Sequence, residues 1–470
     1  MNINNLINIL ESKSFMETVW DILSDKVAII IYVVIILILI IIVAANLIIS
    51  EYKKPIYEFK TKEEVKELKK SHGVALDHEI LNEHKDKPIE VTLSDVNIKK
   101  TSSKEENDGN RFYMLNELDK LDPTLDENLF VHNLSLEDLC EDFRNFCSYK
   151  LHLYYDIKDI RRFIASLAVT HILILQGMSG TGKTSLAYAF GEYISNKTVV
   201  IPIQPMWKER TDLIGYYNEF TKKFNETTLL EKLYEANIKH DVYITVLDEM
   251  NIARVEYYFA EFLSLLELPN PDVRNLDVVS DVWDSDPKLL HEGRLRLPEN
   301  MYFIGTANND DSTFAISDKV YDRAMVINLD YKSEPFEGKK TDAIHLSYED
   351  LSRLFKEASK DYEISKRNLI KLSALDKYMI DVFHITFGNR IMKQIKTYIP
   401  AYSACGGSEL DALDDILARK IFRKLESQNP IYVRNEADAL LNKIEELFGD
   451  NAMPLSCEYI NRIYTNTFSI

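Results

Sequence analysis

The chain has 470 residues, 46% hydrophobic and 28% charged, too long for a single core and ordinary in composition for a folded protein. Its formal net charge of −19 argues against a general binder of the nucleic-acid backbone, because such affinity comes from clustered Lys and Arg. The cysteines Cys140, Cys147, Cys405 and Cys457 form no C-x-x-C pair and no cluster with histidine, so reduced, structural thiols are expected rather than a disulfide or zinc framework.

Residues 1–26 place Leu6, Ile9, Leu10, Phe15, Val19, Trp20 and Leu23 where they suit either an interfacial amphipathic helix or an unstructured tail. Residues 27–49 read VAIIIYVVIILILIIIVAANLII, without a charge, a Gly or a Pro. A helix of that length rises about 35 Å, enough to cross a hydrocarbon core of about 30 Å. The run exceeds the apolar core of a cleaved signal peptide, about 7–15 residues, so a retained single-pass membrane helix is expected. Lys53, Lys54, Lys60, Lys62, Lys66, Lys69 and Lys70 follow it and only Lys13 and Lys26 precede it, which orients the C-terminal bulk toward the cytoplasm. Residues 50–110 are rich in Lys, Glu and Asp and read as a flexible linker. Residues 111–158 regain apolar density as a helical extension, with Ser135, Glu137 and Asp138 marking a helix start.

The strongest chemical signal follows. HILILQ is a short apolar strand, and Gly177, Met178, Ser179, Gly180, Thr181, Gly182, Lys183 and Thr184 fit G-x-x-x-x-G-K-[ST], with Ser185 entering a helix. Such a loop turns backbone N–H groups inward around phosphates, with the helix N-terminus behind them. Lys183 would reach the β- and γ-phosphates, and the Thr184 hydroxyl would ligate Mg²⁺. VYITVLDE is a second strand ending in Asp248 and Glu249. Asp248 suits Mg²⁺, and Glu249 suits the base that deprotonates an attacking water. MYFIGTAN is a third strand, whose Asn308 would hold that water, with Thr306 the weaker candidate. Runs at 198–204 and 325–329 add two more strands, so a five-stranded parallel α/β sheet with its site at the strand C-termini is expected. From 345 to 470 the helical spacing of LARKIFRKLES and ADALLNKIEELFG predicts an all-α region. Gly449 would end a helix, and Gly406-Gly407 and Asn429-Pro430 would form loops.

In order, GMSGTGKT, ERTDLIGYY, LDEMNIARVEYYFAEFLSLLE, RLRLPENMYFIGTAN and DKVYDRA resemble the AAA+ superfamily, from about residue 159 to the C-terminus. Within it they look most like the dynein-related branch that includes MoxR-type chaperones and McrB-type restriction NTPases. The resemblance implies a nucleotide-binding α/β domain over 159–335, a helical lid over 345–470, and active sites shared around a homo-oligomeric ring, a hexamer by family precedent. Arg323 matches the trans-acting arginine finger. Arg390 falls where a nucleotide-contacting lid arginine would sit, with Arg419 and Arg423 as competitors, and Arg210 and Arg254 suit a subunit boundary. The segment TANND lacks the Met of the McrB-type M-N-x-x-D stretch, so ATP with Mg²⁺ is the expected substrate, with GTP the alternative. No metal-binding module of the chelatase relatives follows the lid. The expectation is a membrane-anchored ATP hydrolase that remodels a protein client. The alternatives are a nucleotide-gated scaffold or sensor, and a GTP-using motor subunit with a separately encoded effector.

Overall fold

The structure, a computed structural model, describes residues 109–121, 130–308 and 313–466. The expected membrane helix at 27–49, the segment before it and nearly all of the linker lie outside the described residues. Among those described, no helix is long and apolar enough to cross a membrane.

The strands in chain order are β1 (Ile172–Gly177), β2 (Val199–Pro202), β3 (Gly215–Asn218), β4 (Lys223–Glu226), β5 (Tyr243–Asp248), β6 (Asn275–Asp277), β7 (Leu290–His291), β8 (Arg294–Arg296), β9 (Met301–Asn308) and β10 (Met325–Asn328). One parallel sheet runs β10-β1-β9-β5-β2, the five strands expected from the apolar runs. β1, β5 and β9 read as unbroken hydrophobic runs because helices cover both faces of the sheet. Strand alternation divides their side chains between two cores. Leu173, Leu175, Val246 and Ile304 enter one, and Ile172, Ile174, Leu247 and Phe303 enter the other. The sheet order puts β9 between β1 and β5. The end of β9 therefore stands between the glycine-rich loop and the acidic pair.

The helices are α1 (Met114–Leu118), α2 (Leu136–Leu151), α3 (Ile157–Val169), α4 (Lys183–Tyr193), α5 (Thr211–Ile214), α6 (Thr228–Ala236), α7 (Val255–Tyr258), α8 (Ala260–Glu267), α9 (Asp318–Tyr321), α10 (Tyr348–Asp361), α11 (Lys366–Phe383), α12 (Gly388–Ala404), α13 (Glu409–Lys420), α14 (Pro430–Phe448) and α15 (Pro454–Asn466). Ser135 caps α2 by accepting the Asp138 N–H at 3.0 Å. The next helix is separate: His152 turns left-handed at φ 54° and the Asp156 carboxylate caps α3. α2, α3 and the C-terminal helices share the first core with one face of the sheet. The second core seats α6, α8 and the small strands against the other face. There Phe259, Phe262 and Phe303 pack together, the first two stacked at 4.9 Å and both edge-on to Phe303 at 5.3 and 5.4 Å. Each such pair contributes about 0.5–1.5 kcal/mol beyond its burial, and the trio fixes α8 on β9. The β3–β4 hairpin and the small sheet β6-β8-β7 complete the described part. RLRLPEN, which reads as a hairpin-like piece, supplies β8 as the central strand of that small sheet.

Candidate active site

The loop after β1 turns where only glycine fits. Gly177 has φ 145°, and a Cβ there would lie 2.4 Å from the Leu329 carbonyl oxygen. α4 then starts at Lys183, so its N-terminal N–H groups face the space enclosed by the loop. Lys183 is only 6% exposed, and its ammonium donates to the carbonyls of Gly177 at 3.1 Å and Met178 at 2.7 Å. Thr181 closes the loop by donating to the Met178 carbonyl at 3.0 Å, while Met178, Ser179 and Gly180 are exposed. From below, the Tyr155 hydroxyl donates to the Gly182 carbonyl at 2.9 Å. Burial raises the Tyr155 pKa, which keeps this donor protonated.

At the end of β5 one carboxylate oxygen gathers two hydroxyls. Asp248 Oδ1 accepts from Thr184 at 2.7 Å and from Thr306 at 2.8 Å. The Thr306 oxygen in turn accepts the Glu249 backbone N–H at 2.9 Å. Glu249 is left-handed at φ 52°, a conformation that costs a non-glycine residue energy and persists only where its surroundings impose it. A short 3₁₀ turn, Met250–Ile252, follows. Its Asn251, 5% exposed, donates to the carbonyls of Asn308 at 3.0 Å and Phe314 at 3.3 Å. The parallel register sets Asn308 opposite Gly177. The loop, Thr184, Asp248, Glu249, Thr306 and Asn308 thus converge at the C-terminal ends of β1, β9 and β5. A hydroxyl and a carboxylate 2.7 Å apart offer the hard oxygen donors that suit Mg²⁺, an ion that takes its remaining ligands from phosphate and water. Among the described residues no group of three or more His, Cys, Asp or Glu side chains forms a protein-only metal cage.

A cavity of about 410 Å³ lined by Asp156, Asp159, Arg162, Asn328, Asp330 and Arg419 adjoins the loop. Asp330 lies 3.4 Å from the position of a Gly177 Cβ, and Tyr155 immediately precedes Asp156. Two of its lining residues are held by buried Asp415, which binds Arg162 at 2.9 Å and Arg419 at 2.7 Å and accepts the Tyr398 hydroxyl at 2.6 Å. Burial works to raise the Asp415 pKa, but Arg419 and Arg162 hold the carboxyl below its ordinary value. Arg419 Nη1 is buried without a hydrogen-bond partner.

The other arginines divide among separate places. Arg323 pairs with Glu267 at 2.7 Å and donates to the Lys319 carbonyl at 2.6 Å. Arg390 pairs with the other oxygen of the same Glu267. The two arginines that the resemblance set at different parts of a nucleotide site therefore converge on one carboxylate, while Arg419 stands at the cavity beside the loop. Arg210 is bound to Glu261 at 2.7 and 2.8 Å, and Arg254 lies over Phe314 at 5.1 Å. Tyr155, Asn251 and Glu267 escape a reading by motif. Tyr155 precedes a helix cap, Asn251 is hidden in the turn after the acid pair, and Glu267 only ends the helix that follows.

A glycine-rich loop between strand and helix, with an added strand separating it from the strand that carries the acidic pair, defines a P-loop nucleoside triphosphatase fold of the AAA+ kind. Comparison of sequences gives the same class: residues 172–324 match the AAA domain, dynein-related subfamily, and this stretch is an AAA+ ATPase domain. Residues 341–467 match a domain of unknown function, DUF8727. Among solved structures, a candidate ATPase from Cytophaga hutchinsonii is similar at 13% identity and a TM-score of 0.41, over 60% of this chain and 88% of that one. A full-length MCM homologue from Methanopyrus kandleri is similar at 9% identity and a TM-score of 0.33, over 60% of this chain and 58% of that one. No curated protein matches the chain.

Proposed function

We propose that the protein hydrolyses ATP at sites completed by a neighbouring subunit and uses the cycle to remodel a protein client, while residues 27–49 anchor it in a membrane with the ATPase module in the cytoplasm. The observation that carries the catalytic part is the hydrogen-bonded chain Thr184–Asp248–Thr306–Glu249 beside Lys183. The loop and Lys183 bind the phosphates, exchanging the carbonyls that now hold the ammonium for phosphate oxygens. Mg²⁺ held by Thr184 and Asp248 would neutralise charge on the β- and γ-phosphates. Glu249, its backbone set by Thr306, takes the proton of the attacking water, and Asn308 orients that water. Arg323 of an adjacent copy meets the charge that develops on the transferring phosphoryl group. The cavity beside the loop, within the common size range of about 300–1,000 Å³ for ligand pockets, receives the base and ribose. The uncharged run at 27–49 and the lysines after it support the anchor and its orientation.

The carboxylates of Asp156 and Asp330 in that cavity favour GTP as the second reading, since guanine presents two adjacent N–H donors and adenine one amino group. Calorimetric competition between ATP and GTP separates the two. The test of hydrolysis is steady-state phosphate release by the assembled full chain beside Glu249→Gln, which should keep nucleotide affinity and lose about 10²- to 10⁴-fold in turnover. Turnover by the wild type no faster than that variant would sink the reading.

A further inference from the structure

Glu267 ends α8, whose seat on β9 is fixed by the Phe259–Phe262–Phe303 packing. It gives one carboxylate oxygen to Arg323 and the other to Arg390. These come from separate parts of the chain: Arg323 follows α9, just before β10, and Arg390 stands in the first turn of α12. The same face gathers further cations. Lys420 donates to the carbonyls of Tyr321 and Ala324 on either side of Arg323, Arg423 pairs with Asp318 at 2.6 Å, and Lys424 lies 3.6 Å from Asp322. Four cations, Arg323, Arg390, Arg423 and Lys424, thus meet the three carboxylates of Glu267, Asp318 and Asp322. Two guanidinium groups on one carboxylate leave a surplus positive charge, and their forks suit an acceptor with several oxygens. With side chains 24%, 49% and 27% exposed for Arg323, Arg390 and Glu267, the ion pairs are weak enough to be exchanged.

We infer that Glu267 is a positioning residue that stands in for a phosphate: it parks Arg323 and Arg390 side by side until the terminal phosphate of a nucleotide bound to a neighbouring copy replaces it. The inference rests on the reading of Arg323 as a trans-acting arginine. A triphosphate presents its γ-phosphate to both guanidinium groups and outcompetes the single carboxylate charge. A diphosphate lacks that group and leaves them on Glu267. The carboxylate thereby sets a threshold for engaging the neighbouring subunit that the γ-phosphate clears and a diphosphate does not.

The test is the midpoint concentration for assembly of the full chain with Mg²⁺ and either ADP or a slowly hydrolysed ATP analogue, measured by mass photometry. In Glu267→Gln the midpoint with the ATP analogue should fall by at least about fivefold while the ADP midpoint moves less, widening the discrimination between the two nucleotides, because only the triphosphate has to displace the carboxylate. Glu267→Asp, with the charge but a shorter reach, should shift the ATP-analogue midpoint in the same direction by less, and it serves alone if the Gln variant melts below the assay temperature. In the Arg323→Ala/Arg390→Ala background the Gln substitution should have no further effect. An unchanged discrimination, or a shift that persists undiminished in that background, overturns the inference. A different result tests the underlying reading: if Arg323→Ala assembles and hydrolyses at the wild-type rate, Arg323 is not a trans-acting group at all.

Discussion

The hydroxyl of Thr306 donates to Asp248 Oδ1 at 2.8 Å and accepts the Glu249 N–H at 2.9 Å, so one buried side chain on β9 sets both members of the acidic pair. Thr306→Val keeps the shape and removes both bonds. The unsatisfied Glu249 N–H costs about 1–3 kcal/mol. Turnover should fall by about 10²-fold, because Glu249 loses its orientation. Phosphate release, calorimetry and a melting curve check this together, with nucleotide affinity expected to survive.

Asn251 ties the turn after the acid pair to the end of β9 by donating to the carbonyls of Asn308 and Phe314. Asn251→Ala should lower turnover by about tenfold by loosening the support of Asn308. Asn251→Asp should be the less stable of the two, by about 2 kcal/mol or more, since a carboxylate would then face two carbonyl oxygens. Denaturant unfolding of both variants gives the order.

Lys420 sits on the carbonyls of Tyr321 and Ala324. Burial lowers its pKa to about 7 against the pull of Asp322, with Arg423, Lys424 and Arg390 adding to the lowering. Its neutral amine still has two N–H groups for the two carbonyls. Below pH about 7 both folded and unfolded chains carry the proton, whereas from there to about 10.5 only the unfolded chain does, so stability should rise with pH across that window. Lys420→Met should flatten this slope between pH 7 and 10 in thermal melts.

His171 stacks on Tyr302 at 5.0 Å and hydrogen-bonds the Glu299 carbonyl through Nε2 at 2.8 Å. Burial and the nearby Arg274 lower its pKa to about 4, and the Glu299 carbonyl only partly offsets them. The unfolded chain takes up this proton first as the solution is acidified, so stability should be lost between pH about 6.5 and about 4. In His171→Gln that part of the acid sensitivity should disappear, as melting temperatures at pH 4.5 and 7 will show.

Local chemistry explains how much of this arrangement is legible along the chain. A glycine-rich loop must sit between strand and helix to wrap phosphates, and a doubly covered parallel strand must be apolar throughout, so β1, β5 and β9 and the polar residues at their ends can be read directly. The C-terminal helices follow from their periodicity and from a stop such as Gly449, whereas Asn429-Pro430, which reads as a loop, instead caps and opens α14, because Asn accepts the first free N–H groups and Pro suits the first helical position. The β3–β4 hairpin is hidden because GYYN and KFNE alternate too briefly to separate from a loop.

Only the tertiary structure decided which distant residues would share a site. Thr306 gains its importance because β9 is inserted between β1 and β5, and strand order is a long-range outcome that no local pattern encodes. Arg323 and Arg390 resemble an arginine finger and a lid arginine with separate places, and only the packing of α8 brings one carboxylate to both. The residue types and the loop chemistry were written in the sequence, because they depend on neighbours a few positions away; the pairing of charges and the placing of the cavity came from folding, because they depend on contacts hundreds of residues apart.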